Sequence, residues 1–167
     1  MLFRSILKKF NNSKLCLVCG MENELGLKAR FYAMVHDEIL AVCMPMEEHQ
    51  SYPGRLHGGI SAALLDETLG RAINLTEPDA FGVTIGLNLT YRLPVPLDRE
   101  IHAVARITKN THRIFEAEGE ILLEDGRVAV EAKGRYVRMP AEKITDASPE
   151  EMGYHLYEGG DLKEFDL

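Results

Sequence analysis

The sequence predicts an α+β fold in which one antiparallel sheet wraps around a single long helix. Three observations support this class. An apolar helical pattern runs from Gly58 to about Leu75 and is ended by Thr76-Glu77-Pro78-Asp79. Segments with the alternation of strands lie on both sides of that helix. The chain has 167 residues, 46% of them hydrophobic and 27% charged, which is the size and composition of one globular domain.

Before the helix, the chain divides into an arm, two strands and a loop. Residues 1–14 mix basic and apolar residues, and we expect a short, loosely attached amphipathic helix there. A targeting role is the second interpretation, although the segment lacks a signal-peptide core and a cleavage site. Residues 28–35 and 39–44 predict two strands joined by a turn at His36-Asp37-Glu38. Residues 46–56 are polar and contain a Pro-Gly pair, which predicts a loop.

Four further strands are predicted after the helix, at residues 83–91, 100–109, 114–123 and 128–137. The third alternates apolar residues with Glu116, Glu118 and Glu120, so one of its faces is expected to be buried. The Asp125-Gly126 pair that follows it is a strong hairpin signal. We expect these four strands to form an antiparallel meander.

The predicted organisation is an N-terminal arm at 1–14, a central domain at 15–140 and a polar appendage at 141–167. The formal net charge of −7 and the pI near 5.4 argue against nucleic acid as a partner. No apolar run approaches the roughly 20 residues needed to span a bilayer, so no membrane partner is expected.

Three cysteines, an odd number without a signal peptide, predict a reducing cytoplasmic location. Cys16 and Cys19 form a CxxC pair, which is half of a zinc site or a redox pair. Because the chain contains no second CxxC and no HxxxH, we interpret the pair as local structure and expect no metal and no cofactor. Cys43 is expected in the core.

The segment His57-Gly58-Gly59, at the start of the helix, is the strongest candidate for a functional site. Free N–H groups and the positive end of the helix dipole suit an oxygen that gains negative charge. Asp66 interrupts an otherwise apolar helix, where a carboxylate is costly unless it has a function or a partner. Gly58 and Asp66 are separated by roughly 12 Å along a helix, so one chain cannot easily bring both to one carbonyl. A two-fold dimer with antiparallel helices could do so.

These residues resemble the signature of the hotdog-fold thioesterases, specifically the PaaI-like acyl-CoA thioesterase family. The segment His57-Gly58-Gly59 followed after six residues by Asp66 carries the resemblance. It extends over roughly residues 15–138 and includes three flanking segments: Cys16-Leu17-Val18-Cys19-Gly20 with Gly26-Leu27, His49-Gln50-Ser51-Tyr52-Pro53-Gly54, and Thr84-Ile85-Gly86-Leu87-Asn88-Leu89-Thr90-Tyr91-Arg92-Leu93-Pro94-Val95-Pro96.

The resemblance implies an acyl-CoA thioesterase that acts as a homodimer or homotetramer. The Gly58 amide would polarise the thioester carbonyl, and Asp66 of the neighbouring subunit would act as general base or as nucleophile. Thr84 matches a hydroxyl residue that orients water, and His57 is interpreted as a positioning residue.

The expected substrate contacts are less sharply defined by the resemblance. Relatives often carry Asn or Gln seven residues before the glycine that matches Gly58. This chain has Ser51 at that position, and the adjacent Gln50 ranks above it for the role. Gly59, and Arg92 as a contact for the anionic coenzyme A, complete the predicted substrate-binding set.

Two other functions stay open. A hotdog-fold dehydratase would use the same scaffold, although that chemistry usually pairs a histidine base with an acid across the dimer. A non-catalytic acyl-CoA-binding module would keep the pocket without turnover, but such a module has no need for a carboxylate beside a thioester. The acyl-chain specificity cannot be read from the sequence.

Overall fold

The computed structural model describes residues 3–166, and within them eight strands form one antiparallel sheet against which one long helix packs. The strands are β1 (Phe3–Lys9), β2 (Arg30–Met34), β3 (Glu38–Cys43), β4 (Phe81–Tyr91), β5 (Ile101–Asn110), β6 (Ile114–Leu122), β7 (Val128–Met139) and β8 (Glu164–Asp166). The helices are α1 (Gly58–Arg71), the single turn α2 (Pro149–Met152), and short 3₁₀ segments at Glu47–His49, Ala72–Leu75 and Ala141–Lys143. This arrangement confirms the predicted α+β class and its hotdog architecture.

The predicted strands from β2 to β7 are confirmed to within a residue or two at each end. In β6, Phe115, Ala117 and Ile121 are buried while the intervening glutamates are only half-buried, as the alternation predicts. The predicted turn between β2 and β3 contains His36 and Asp37, both of which adopt positive φ. The alternation of apolar and polar residues, together with the turn residues, therefore located these strands correctly.

The expected meander of four strands is wrong for β4. The sheet order is β4-β7-β6-β5-β3-β2-β1-β8, so β4 pairs with β7 at one edge and not with β5, its neighbour in sequence. The chain leaves the sheet at Tyr91 and crosses through the segment with Pro94 and Pro96, which cannot donate to a ladder. Hydrogen bonding from Leu56 N–H to Val95 O fastens that crossover to the loop before α1.

Helix α1 packs its apolar face onto the sheet. Leu64, Leu65 and Leu69 are fully buried in the main core, and burial of such a side chain stabilises the fold by roughly 1.5–3 kcal/mol. Gly119 in β6 permits this close approach, because a Cβ there would lie 2.9 Å from Leu69 Cδ1. Within residues 3–166, no helix is long and apolar enough to cross a membrane.

The expected helix in residues 1–14 is wrong, because β1 is a strand. It pairs with β2 on one side and with β8 on the other. A seven-residue helix is marginal in water, whereas the open edge of β2 offers a ready ladder of hydrogen bonds.

The C-terminal residues predicted as an appendage also lie against the body of the protein. Lys9 Nζ donates a hydrogen bond to Tyr157 O at 2.6 Å, and Asn12 forms an isolated antiparallel β-bridge with His155. The division at 1–14, 15–140 and 141–167 stays a prediction about domain boundaries.

Candidate active site

The N-terminus of α1 presents one free amide. His57 is the N-cap, and its Nδ1 accepts a hydrogen bond from Gly59 N at 2.8 Å. His57 thus positions the turn, and the amide of Gly59 is already used. We find no hydrogen bond from Gly58 N–H within residues 3–166. Gly58 is therefore the amide at this helix start that remains available to a ligand.

Tyr91, at the end of β4, packs over this glycine. Its hydroxyl donates to Gly58 O at 2.6 Å, and a Cβ on Gly58 would lie 3.3 Å from its ring. Gly58 and Tyr91 line a groove of about 270 Å³ that also includes Arg92. Sequence reasoning missed Tyr91 as a site residue. The signal available was its position in the strand segment that carries the family resemblance.

Asp66 is held by two hydroxyl groups from different strands. Its Oδ1 accepts from Thr84 Oγ1 at 2.8 Å on β4 and from the Tyr136 hydroxyl at 3.1 Å on β7. The Tyr136 hydroxyl also donates to the Asp66 main-chain O at 3.0 Å. The half-buried carboxylate is therefore oriented by two donors to one of its oxygens, and Asp66 lines an open pocket.

Tyr136 is the largest addition that the structure makes to the predicted site. It is 1% exposed and stacks on Phe115, with ring centroids 5.0 Å apart. Burial, with the charge of Asp66 as a second cause, raises the pKa of Tyr136, so its hydroxyl stays a proton donor. Gly134 leaves room for the side chain of Tyr136, because a Cβ on residue 134 would lie 2.6 Å from the Tyr136 hydroxyl oxygen. Tyr136 lies on β7, 70 residues from Asp66 in sequence, and the packing of that strand against α1 brings the two together.

The pocket beside Asp66 has a volume of about 710 Å³ and walls that are mainly apolar. It is formed by α1, β4, the N-terminal loop and the C-terminal segment. Its lining includes Ala63, Thr84, Ile144 and Tyr154. An apolar pocket with a few convergent polar groups is the usual form of a small-molecule site.

Within one protomer, the free amide and the carboxylate do not meet. Gly58 and Asp66 line different depressions and are separated by eight residues of helix, roughly 12 Å at 1.5 Å per residue. A single reacting carbonyl cannot contact both groups of the same helix.

The remaining predicted contacts lie at the surface. Gln50 and Ser51 are exposed in the loop before α1, and no side-chain hydrogen bond from either is found within residues 3–166. Arg92 is ion-paired with Glu131, with Nη2 to Oε2 at 2.6 Å. Of these residues, the structure brings only Arg92 to the groove that contains Gly58.

The Cys16–Cys19 loop forms another wall of the Asp66 pocket. Cys16 Sγ donates to Glu67 Oε2 at 3.1 Å, and Arg71 Nε donates to Glu67 Oε1 at 3.0 Å. The hydrogen bond between the thiols lowers the pKa of Cys16 and, together with burial, raises that of Cys19. Cys43 lies in the core as expected, where burial raises its pKa to about 12.

Comparison with known proteins links this chain to one family. A sequence profile of the thioesterase superfamily matches residues 53–130. A Deinococcus radiodurans protein with the provisional name esterase is 31% identical over 112 residues, which cover 65% of this chain and 69% of the relative. The human protein named acyl-coenzyme A thioesterase 13 is 40% identical over 63 residues, covering 38% of this chain and 45% of the relative. The match therefore spans less than half of the human protein.

The fold agrees with a solved structure. A crystal structure described as a thioesterase superfamily protein superposes with a TM-score of 0.66 at 30% identity, covering 73% of this chain and 59% of that one.

Proposed function

This chain belongs to the thioesterase superfamily, and we propose that it hydrolyses an acyl-CoA thioester to the free acid and coenzyme A. The observation that carries the proposal is the carboxylate of Asp66, held by Thr84 and Tyr136 on the wall of an open apolar pocket. The name of the human relative, an acyl-coenzyme A thioesterase, supports the substrate class.

The free amide of Gly58 suits the thioester oxygen. As water or a nucleophile adds to the carbonyl carbon, negative charge grows on that oxygen. An N–H group at a helix start stabilises such a charge without reorganising, and loss of one donor of this kind costs about 3–4 kcal/mol of barrier. His57 contributes by occupying the neighbouring amide of Gly59, which leaves Gly58 as the donor.

Asp66 acts on the other side of the carbonyl. With Oδ1 saturated by two hydroxyl donors, Oδ2 is the oxygen that would take a proton from water or attack the carbonyl carbon itself. Both routes use the same orientation of the Asp66 carboxylate. If Asp66 acts as general base, Thr84 helps to position the water. If Asp66 acts as nucleophile, Thr84 holds its carboxylate in the direction of the carbonyl carbon.

The two groups would come together in a homodimer. Along one α1 they are roughly 12 Å apart, whereas antiparallel α1 helices in a two-fold pair would place Gly58 of one protomer opposite Asp66 of the other. Strand β4 supports this assembly, because it is an 11-residue edge strand that, among residues 3–166, pairs with β7 alone and exposes Ile85 and Tyr91. A homotetramer of two such dimers is compatible with the same contact.

The three cysteines are free thiols, which agrees with the predicted location in a reducing cytoplasm. That location stays a prediction.

A substrate panel tests the activity. Purified protein is mixed with short, long and aromatic acyl-CoAs, and released thiol is trapped with a chromogenic disulfide. We expect turnover that falls by about 10²–10⁴-fold in Asp66→Ala, the contribution typical of a general base. Asp79→Ala, an exposed aspartate in the turn after α1, is the matched control and should keep wild-type rates.

Other outcomes would contradict the proposal. Acyl-CoA binding without thiol release from any member of the panel would favour a binding module. Hydration of an enoyl-CoA in place of thiol release would favour a dehydratase. Light scattering that detects only monomers at the assay concentration would contradict the proposed homodimer.

A further inference from the structure

The Cys16–Cys19 pair is a motif that the proposed thioesterase mechanism does not use. Its two sulfur atoms and a carboxylate oxygen of Glu67 all lie within 4.8 Å of one another. Glu67 is 48 or more positions away in sequence, so the third group joins the pair only through the docking of the N-terminal loop against α1. We propose that Cys16, Cys19 and Glu67 form a zinc site with three protein ligands.

The donor set and its spacing suit Zn²⁺. Thiolate, thiolate and carboxylate are ligands that zinc accepts in tetrahedral sites. With metal–ligand distances of about 2.0–2.3 Å, ligand atoms in such a tetrahedron lie about 3.3–3.8 Å apart. Cys16 Sγ and Glu67 Oε2 are 3.1 Å apart, so a small outward movement of side chains would admit the ion.

The loop is shaped to hold thiolates. The N–H groups of Val18 and Cys19 point at Cys16 Sγ, at 3.4 and 3.5 Å. Gly20 N–H donates to Cys16 O at 2.8 Å and closes the turn. A Cβ on Gly20 would lie 2.4 Å from that same oxygen, so glycine is required there. Backbone donors aimed at a sulfur favour its charged, metal-binding form.

Arg71 orients the third ligand and balances the charge. It donates to Glu67 Oε1 and to Asn11 O, so the carboxylate presents its other oxygen to the cysteines. The charges of Arg71 and Glu67 cancel, and those of two thiolates cancel Zn²⁺. The filled site would therefore be neutral, with two protons released on binding.

All three ligands line the same pocket as Asp66, so the fourth position of the metal would be reached from that pocket. Three protein ligands with an open fourth position is the arrangement of a zinc site that can exchange water or a ligand. The site also fastens the N-terminal loop to α1 directly beside the proposed catalytic residue.

Metal binding tests the proposal without reference to thioesterase activity. Full-length protein is reduced, stripped of metal and titrated with ZnCl₂ against a chromophoric chelator, and with CoCl₂ to detect sulfur-to-cobalt charge transfer. We expect one ion per protomer. Binding should be lost in Cys16→Ala and Cys19→Ala, and weakened at least about tenfold in Glu67→Gln. Cys43→Ala, which changes a buried cysteine elsewhere, is the matched control and should bind as wild type.

A second measurement needs no variant. Zinc should slow the alkylation of Cys16 by iodoacetamide, mapped by mass spectrometry on the wild-type protein. Equal alkylation with and without zinc would overturn the proposal. So would zinc binding that survives in both cysteine variants, or a Cys16–Cys19 disulfide that persists under thiol reductant.

Discussion

Replacement of Tyr136 by phenylalanine would separate the role of its hydroxyl from the packing of its ring. The ring would keep its stacking on Phe115, because only the oxygen is removed. What is lost is one donor shared between Asp66 Oδ1 at 3.1 Å and Asp66 O at 3.0 Å. Asp66 would then depend on Thr84 alone.

The size of the effect follows from these contacts. A hydrogen bond to a charged acceptor contributes about 1.5–3 kcal/mol. The lower end applies, because Asp66 is only half-buried and keeps its bond to Thr84. A loss of about 1.5 kcal/mol in the free energy of unfolding lowers Tm by roughly 3–6 °C in a domain of this size. If the same energy orients the carboxylate in the transition state, kcat/KM falls by about tenfold.

The assay combines thermal unfolding with release of thiol from the best acyl-CoA of the panel. Tyr157→Phe is the matched control, because that hydroxyl donates to Gly153 O at 3.1 Å away from Asp66. It should leave kcat/KM unchanged. Thr84→Val combined with Tyr136→Phe should cost more than the sum of the two single changes, since both groups donate to one oxygen.

Wild-type kcat/KM in Tyr136→Phe, together with a lowered Tm, would contradict a role of this hydroxyl in orienting Asp66 for catalysis. The hydroxyl would then support the fold alone.

Three further outcomes are expected. In Ile85→Lys, a charge on the exposed edge strand β4 should give monomers by light scattering and lower thioesterase activity by about 100-fold or more, and activity in a stable monomer would refute the dimer mechanism. Gly20→Ala should lower the free energy of unfolding by at least about 2 kcal/mol in chemical denaturation and abolish zinc binding, because its Cβ would collide with Cys16 O. Hydrogen bonding from Arg138 lowers the pKa of Glu77, so this ion pair stabilises the fold above the ordinary glutamate pKa of about 4.3 and is lost as pH falls through the lowered value. The stability difference between wild type and Glu77→Gln, measured by urea unfolding, should therefore be present at pH 7 and disappear in acid.

Much of the fold could be predicted because its signals are local. The helix beginning at Gly58 and the strands from β2 to β7 were located from periodicity, and periodicity reports which face of an element is apolar. Asp66 stood out because a carboxylate within an apolar helix needs a reason. These predictions depend only on residues within a few helical turns or strand positions of one another, so they can be made without the three-dimensional structure.

Strand pairing depended on the whole chain. β1 is a strand because the edge of β2 is available to it, and no pattern within residues 1–14 contains that information. β4 pairs with β7 because the crossover segment after Tyr91 is pinned to the loop before α1.

The candidate active site likewise combines residues that the sequence identifies with contacts that depend on the tertiary structure. The candidates His57, Gly58, Asp66 and Thr84 follow from a motif and a resemblance in the sequence. Tyr136 joins the carboxylate of Asp66 through the packing of β7 against α1, across 70 residues of chain. The tertiary structure likewise places Glu67 within 4.8 Å of the Cys16–Cys19 pair, which is the contact on which the proposed zinc site depends. A hydrogen bond or a metal site depends on distances of a few ångströms, and these distances are set by how segments far apart in sequence pack against one another.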